Sequence, residues 1–237
     1  MSRLPRICIP GLPFHVVQRG NDRARVFFED DDYHAYLHLL IGMSERYATE
    51  IHAYVLMTNH IHLLVSSQRR DGVSRTMQQV SSGYARRIND RYERTGTLWE
   101  SRFKSSPIDS DHYGLTCYRY IELNPVRAGI VRSPAEYRWS SYRENAGLSA
   151  MSVVRPHACY AALGVSGKER SRQYRQIVHE HLSERALADI REGTSKGLPV
   201  GAGAFKREIE ARLGEPLGSR QRGRPRKKGS DPFFGCS

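Results

Sequence analysis

Over residues 14–19 apolar side chains alternate with polar ones, Phe14 and Val16 falling on one side, which is the two-residue period of a strand. A polar turn, Gly20-Asn21-Asp22-Arg23, follows. From 30 to 48 the period lengthens. Tyr33, Tyr36 or Leu37, Leu40 and Met43 or Tyr47 form one helical stripe behind acidic residues suited to a helix N-terminus. Residues 51–57 and 60–66 are short strand-like runs separated by Thr58-Asn59, a hairpin pattern. The steps Met77, Val80, Tyr84 and Ile88 predict a helix over 73–92, with Arg75, Arg86, Arg87 and Arg91 on its other faces. Residues 98–108 read as a fourth strand. A third helix is predicted over 110–124, opened by Ser110 and Asp111 and stopped near Pro125.

The order β-α-β-β-α-β predicts an α+β fold of the ferredoxin-like split βαβ kind, an antiparallel sheet with helices on one face. A tyrosine-bearing helix and a helical C-terminal extension complete it. The other sheet face is expected to be open and able to host a site. The expected division is a first domain over 1–143, a linker over 144–166 and a helical accessory region over 167–217. That region has helical stretches near 168–191 and 203–213. The tail, 218–237, is rich in Gly, Arg, Lys and Pro and is expected to be disordered.

Composition narrows the class. In 237 residues, 37 Lys and Arg face 25 Asp and Glu, a formal charge of +12 that attracts polyanions, phosphate backbones above all. No stretch approaches the roughly 20 apolar residues that span a bilayer, so no membrane partner is expected. The N-terminal residues lack the apolar run of a secretory signal, and a cytoplasmic, nucleoid-associated protein is the simplest reading. Cys8, Cys117, Cys159 and Cys236 form no C-x-x-C pair, which argues against a zinc ribbon or a disulfide scaffold. Cys117 reads as a packing residue.

The sharpest chemical signal is Thr58-Asn59-His60-Ile61-His62-Leu63-Leu64-Val65. On a strand His60 and His62 point the same way and Ile61, Leu63 and Val65 the other, so two imidazoles can offer adjacent metal-binding nitrogens. Alone, the pair fits better with two hydrogen-bonded histidines on a half-exposed strand. The second signal lies in the helix over 110–124, where Tyr120 is one turn from Asn124, an amide able to offer an oxygen. Tyr118 lies roughly 200° around the axis from Tyr120 and belongs with the core. A phenol, with a pKa near ~10, needs a nearby cation and a basic pocket to act as a nucleophile. A tyrosine-rich packing helix is the plainer alternative in a chain with 13 tyrosines.

Together with Arg19 to Arg23, "RGNDR", and Tyr120 to Val131, "YIELNPVRAGIV", these motifs resemble the HUH single-tyrosine transposases over about residues 8–145. The closer resemblance is to the REP-associated tyrosine transposases, relatives tied to repetitive extragenic palindromes in bacterial chromosomes. The resemblance implies that His60 and His62 bind Mg²⁺ or Mn²⁺ and that Tyr120 attacks single-stranded or hairpin DNA. A covalent 5′-phosphotyrosine intermediate would result, and the strand could then be rejoined. Relatives complete the metal site with a Gln one turn beyond the tyrosine. Here Asn124, shorter and followed by Pro125, stands in that place, and histidine ligands suit softer ions better than Mg²⁺. Insertion-sequence relatives share a tyrosine between two subunits, whereas the REP-associated group implies a monomer.

Arg19, Arg23 and Arg25 follow the first predicted strand, Arg69 and Arg70 follow the histidine strand, and Arg102 and Lys104 alternate along the fourth. These are expected to track a DNA backbone, with Phe103 or Trp99 offering a ring to a base, although Trp99 reads better as core. In the tail, Arg222-Gly223-Arg224 resembles an AT-hook able to enter the minor groove of A·T-rich duplex, and a generic basic tail is the rival reading. Two other functions share much of this pattern. One is a catalytically inactive DNA-binding regulator of repetitive palindromes; the other is a phosphodiesterase that uses water while Tyr120 only packs.

Overall fold

The alternating run becomes strand β1 (Phe14–Arg19), and the computed structural model describes residues 6–150 and 152–217 around it. Helix α1 (Asp30–Arg46) starts on a reciprocal cap with Glu29. The Asp32 carboxylate accepts the backbone N–H of Phe28 at 2.9 Å and of Glu29 at 3.1 Å, pairing donors that a helix start otherwise leaves free. Strands β2 (Thr49–Met57) and β3 (His60–Ser67) form the expected hairpin, followed by α2 (Gly72–Arg91), β4 (Lys104–Pro107) and α3 (Ser110–Glu122).

The strands lie in the order β2-β3-β1-β4, every neighbouring pair antiparallel. This is the split βαβ arrangement, with β3 inserted between β1 and β2. Helices α1 and α2 cover the face that carries Val16, Ile61, Leu63 and Val65, all buried. Slipping β3 by one residue would exchange Ile61, Leu63 and Val65 for His60, His62 and Leu64. At about 1.5–3 kcal/mol per buried aliphatic side chain, that slip is prohibitive. The apolar set therefore fixes the direction of the histidines.

The second face is not open. Helix α3 crosses it over β2 and β3, and α8 (Glu184–Lys196) packs over β4 and β1. Between them run α4 (Asn124–Arg127), α5 (Tyr142–Asn145), α6 (Ala158–Ala161) and α7 (Gly167–Val178), and α9 (Gly203–Leu213) follows. The stretch 144–166 is packed, with Val154 and Tyr160 buried. The helical pattern read over 168–191 is two helices, with Ser183 capping the second through a hydrogen bond from Ala186 N–H.

The fourth strand is shorter than the pattern predicts. Only Lys104–Pro107 pairs with β1, and residues 98–103, held to the end of β1 by the isolated Gly20–Trp99 bridge, form an irregular connection. It is tied to the end of β1 by Asn21 N–H on Leu98 C=O at 2.9 Å and Glu100 N–H on Arg19 C=O at 3.0 Å. Gly20 permits the tight turn beside it, because a Cβ there would come within 2.2 Å of the Ala24 carbonyl oxygen. No helix among the described residues is long and apolar enough to cross a membrane. The AT-hook-like run with Arg222 and Arg224 lies outside the described residues.

Candidate active site

Strand register sets which side chains meet. Val17 stands opposite His62 and Arg19 opposite His60, so alternation puts His15, Val17 and Arg19 on the histidine face. His62 Nδ1 and His15 Nε2 are 2.9 Å apart, and His15 Nδ1 is 2.7 Å from the Thr194 hydroxyl on α8. The rings of His15 and His62 are parallel to within 7° with centroids 5.1 Å apart. At that centroid separation, parallel rings with so short an N···N distance are joined edge to edge through a hydrogen bond, not stacked face to face. His60 meets His62 edge-on at 5.0 Å and its Nδ1 bonds to Asn59 Oδ1 at 2.6 Å. Among the described residues, Nε2 of His60 and Nε2 of His62 have no protein partner.

Burial holds all three imidazoles neutral. It pushes His60 down to about 4, helped by the Arg19 charge, and His15 down to about 3, helped by Arg127. His62 falls well below the ordinary histidine range, first through burial and then through its charged neighbours. Neutral rings keep a nitrogen lone pair at physiological pH.

Helix α3 brings Tyr120 over this cluster. Its ring lies edge-on to His62 at 5.7 Å and to His15 at 5.4 Å. Arg127, two turns further on, donates to the Tyr120 carbonyl at 2.8 Å and sets its guanidinium 4.3 Å from the ring centroid. The Tyr120 hydroxyl makes no hydrogen bond within the described residues. Three other buried tyrosines use theirs: Tyr84 donates to Val26 C=O at 2.7 Å, Tyr160 to Asn145 C=O at 2.6 Å, and Tyr118 accepts from His157 N–H at 3.2 Å; the buried Tyr36 hydroxyl has no partner among the described residues but does not line the cleft. Tyr120 instead lines a cleft of about 240 Å³ with His15, His62, Arg19, Arg102, Lys104, Arg191 and Thr194. Those cations outnumber the cleft's single carboxylate, Glu100.

The remaining expected residues fall into three places. Arg19, Arg102 and Lys104 reach the cleft; Lys104 faces it because it pairs with Val17. Arg23 and Arg25 are exposed on the turn beside the hairpin tip, where Asn59 Nδ2 donates to Arg23 C=O at 3.0 Å. Arg69 and Arg70 sit beyond the far end of β3, Arg69 3.4 Å from Asp71, and do not join the cleft. Asn124 does not line the cleft either; its amide nitrogen is shielded from solvent and has no partner. Phe103 is not free for a base, since the Arg6 guanidinium covers its ring at 3.7 Å. Trp99 is core, with its indole N–H on Ser81 C=O at 3.0 Å.

Residues 8–124 match the family described as transposase IS200 like. The matched segment is a little under half of the chain. The family segment contains β1, the histidine strand and Tyr120, while Arg127, Arg191 and Thr194 lie beyond it. Among solved structures, this chain is similar to a REP-associated tyrosine transposase bound to a REP hairpin. The TM-score is 0.55 at 19% identity, covering 67% of this chain and 93% of that one. A candidate transposase from Deinococcus radiodurans R1 is similar with a TM-score of 0.36 at 17% identity, over 50% of this chain and 95% of that one. Comparison with curated proteins gave no match. The first likeness bears on the fold, an α+β unit around a four-stranded antiparallel sheet.

Sequence reasoning missed His15, Arg127, Arg191 and Thr194. His15 carried a usable signal, because the alternation that puts Phe14 and Val16 inward turns His15 and Arg19 together to the other face.

Proposed function

We propose that this protein is an IS200-like transposase that cuts and rejoins single-stranded or hairpin DNA through Tyr120, in the manner of the REP-associated group. The observation that carries the reading is the Tyr120 hydroxyl, unused by the fold and placed in a cationic cleft beside His62. In the proposed step the Tyr120 oxygen forms a bond to phosphorus and the bond from phosphorus to the 3′ oxygen breaks. The phenol proton passes to solvent and the leaving oxygen ends as a free 3′-hydroxyl. The 5′-phosphotyrosine keeps the phosphodiester energy, so attack by a 3′-hydroxyl reverses the step and rejoins a strand. Arg19, Arg102, Lys104 and Arg191 would hold the backbone and offset the charge that builds on the phosphoryl oxygens.

A divalent ion, Mg²⁺ or Mn²⁺, would polarise the scissile phosphate when bound. The donor set fits such an ion: two neutral imidazoles, each with Nε2 unclaimed. Among the described residues no group of three or more His, Cys, Asp or Glu is arranged to hold a metal, so neutral oxygens, water and phosphate would complete the shell. The side-chain oxygen of Asn124, one turn beyond Tyr120, is the proposed third protein donor, and it would have to turn toward the histidines because Asn124 does not line the cleft. One chain supplies both the imidazoles and the tyrosine, so the reading needs no second copy.

The test is incubation of labelled hairpin DNA with the protein and Mn²⁺, followed by denaturing electrophoresis for a protein–DNA adduct. Binding without cutting would instead support a DNA-binding regulator. His60→Ala is expected to lower Mn²⁺-dependent cutting at least about tenfold and to leave DNA affinity nearly unchanged. Equal loss of both would make His60 structural. Charge removal gives a separate check. In Arg102→Ala/Lys104→Ala the plot of log affinity against log salt should flatten by about 1.4, at roughly 0.7 per single-strand phosphate contact. An unchanged slope would place the DNA elsewhere.

A further inference from the structure

His15 and Thr194 lie outside the ligand set just described, and their hydrogen-bonded chain to His62 restricts what that ring can offer. A neutral imidazole carries one proton. If His62 bears it on Nδ1, that N–H donates to His15 Nε2, His15 Nδ1–H donates to the Thr194 hydroxyl, and His62 Nε2 is left with a lone pair. If the chain runs the other way, His62 Nε2 is an N–H and cannot bind a cation. Both bonds, 2.9 Å and 2.7 Å, accommodate either direction.

The cleft decides between them. His62 lines it together with Arg19, Arg102, Lys104 and Arg191, against Glu100. A positive potential favours the tautomer that turns its lone pair, the negative end of the ring dipole, toward the cations. Thr194 also lines the cleft, so in that arrangement its own hydroxyl proton has solvent to donate to.

We propose that His15 and Thr194 are positioning residues that hold His62 as the Nδ1–H tautomer and so reserve Nε2 for the metal. This rests on the reading of His62 as a ligand. It gives α8 a role: a residue beyond the family segment, 179 positions from His15, fixes the protonation pattern of the histidine strand. Supporting partners of this kind commonly change metal affinity 10–100-fold.

Long-range ¹⁵N–¹H correlation spectra of the metal-free, full-length protein above pH 7 read the tautomer directly. The expected result is a protonated Nδ1 and an unprotonated Nε2 at His62. In Thr194→Val the buried His15 Nδ1–H would have no acceptor, and an orphaned N–H is tolerated less well than an unpaired lone pair. The chain should therefore shift toward His62 Nε2–H, with Mn²⁺ affinity, measured by electron paramagnetic resonance, falling about tenfold. Thr194→Ser keeps the hydroxyl and should restore both readouts. An Nε2–H tautomer in the wild type overturns the proposal, as does Thr194→Val with the wild-type tautomer and affinity. Failure of the ligand reading is distinct: His62→Ala would then leave Mn²⁺ affinity unchanged, whatever the metal-free spectra show.

Discussion

Tyr120→Phe is expected to bind hairpin DNA like the wild type and to form no covalent adduct, a loss of at least about 10⁴-fold, the scale on which removing a nucleophile acts. The fold should not notice the change. The hydroxyl makes no hydrogen bond among the described residues, so its removal leaves no partner unsatisfied. The ring keeps its edge contacts with His15 and His62 and its place under Arg127. Stability should stay within about 0.5 kcal/mol, as for substitutions that break no buried interaction.

Tyr118→Phe is the matched control. Its hydroxyl accepts the His157 backbone N–H at 3.2 Å in a fully buried setting, so losing it should cost about 1 kcal/mol or more and leave the adduct intact. The two variants thus separate a hydroxyl the fold uses from one the fold leaves free. An adduct that persists in Tyr120→Phe would move the nucleophile elsewhere on α3. Tyr113 is the nearest alternative, although its hydroxyl already donates to Asp189 at 2.7 Å. Cutting that survives without any adduct would assign the attack to water.

The parts of the site written into local periodicity were legible. His60 and His62 could be placed on one face because Ile61, Leu63 and Val65 claim the other. Tyr118 and Tyr120 could be told apart because a helix turns them to different sides, and Tyr118 is indeed core. What was lost depends on non-local register. His15 matters only once β1 is paired with β3, and Thr194 only once α8 has crossed the sheet. Residues 179–183 contain no Gly or Pro to announce the break before α8, so two helices read as one. Arg69 and Arg70 lie away from the cleft for a simpler reason. They follow the histidine strand in sequence, but eight residues at about 3.3 Å each carry them some 26 Å from His60.

The helix that presents Tyr120 is anchored by a buried carboxylate, and replacing it should have the largest effect on stability. Glu122 is fully buried and accepts hydrogen bonds from the Ser141 hydroxyl at 2.5 Å, the Tyr174 hydroxyl at 2.5 Å and the Asn145 amide at 2.7 Å. It thereby ties α3 to α7 and to the segment around α5. Glu122→Ala would strand three donors and open a cavity, at about 3–5 kcal/mol, or roughly 6–20 °C in Tm for a chain of this size. Burial nevertheless outweighs the donors and pushes the carboxyl from 4.5 up to about 7. Because the folded state binds this proton more tightly than the unfolded chain, the associated stability is complete below about pH 4.5 and is lost as pH rises through about 7. The buried histidines act in the opposite sense. With His15 lowered to about 3 and His52 and His60 to about 4, their contribution is present above 6.5 and is lost as pH falls toward those values. Glu122→Gln isolates the first effect, since it keeps an acceptor and removes the titration. Relative to wild type, it should gain about 2 kcal/mol between pH 5.5 and pH 8, measured by urea unfolding at each pH. A difference that does not change with pH would show Glu122 ionised throughout, its three donors outweighing the cost of burial.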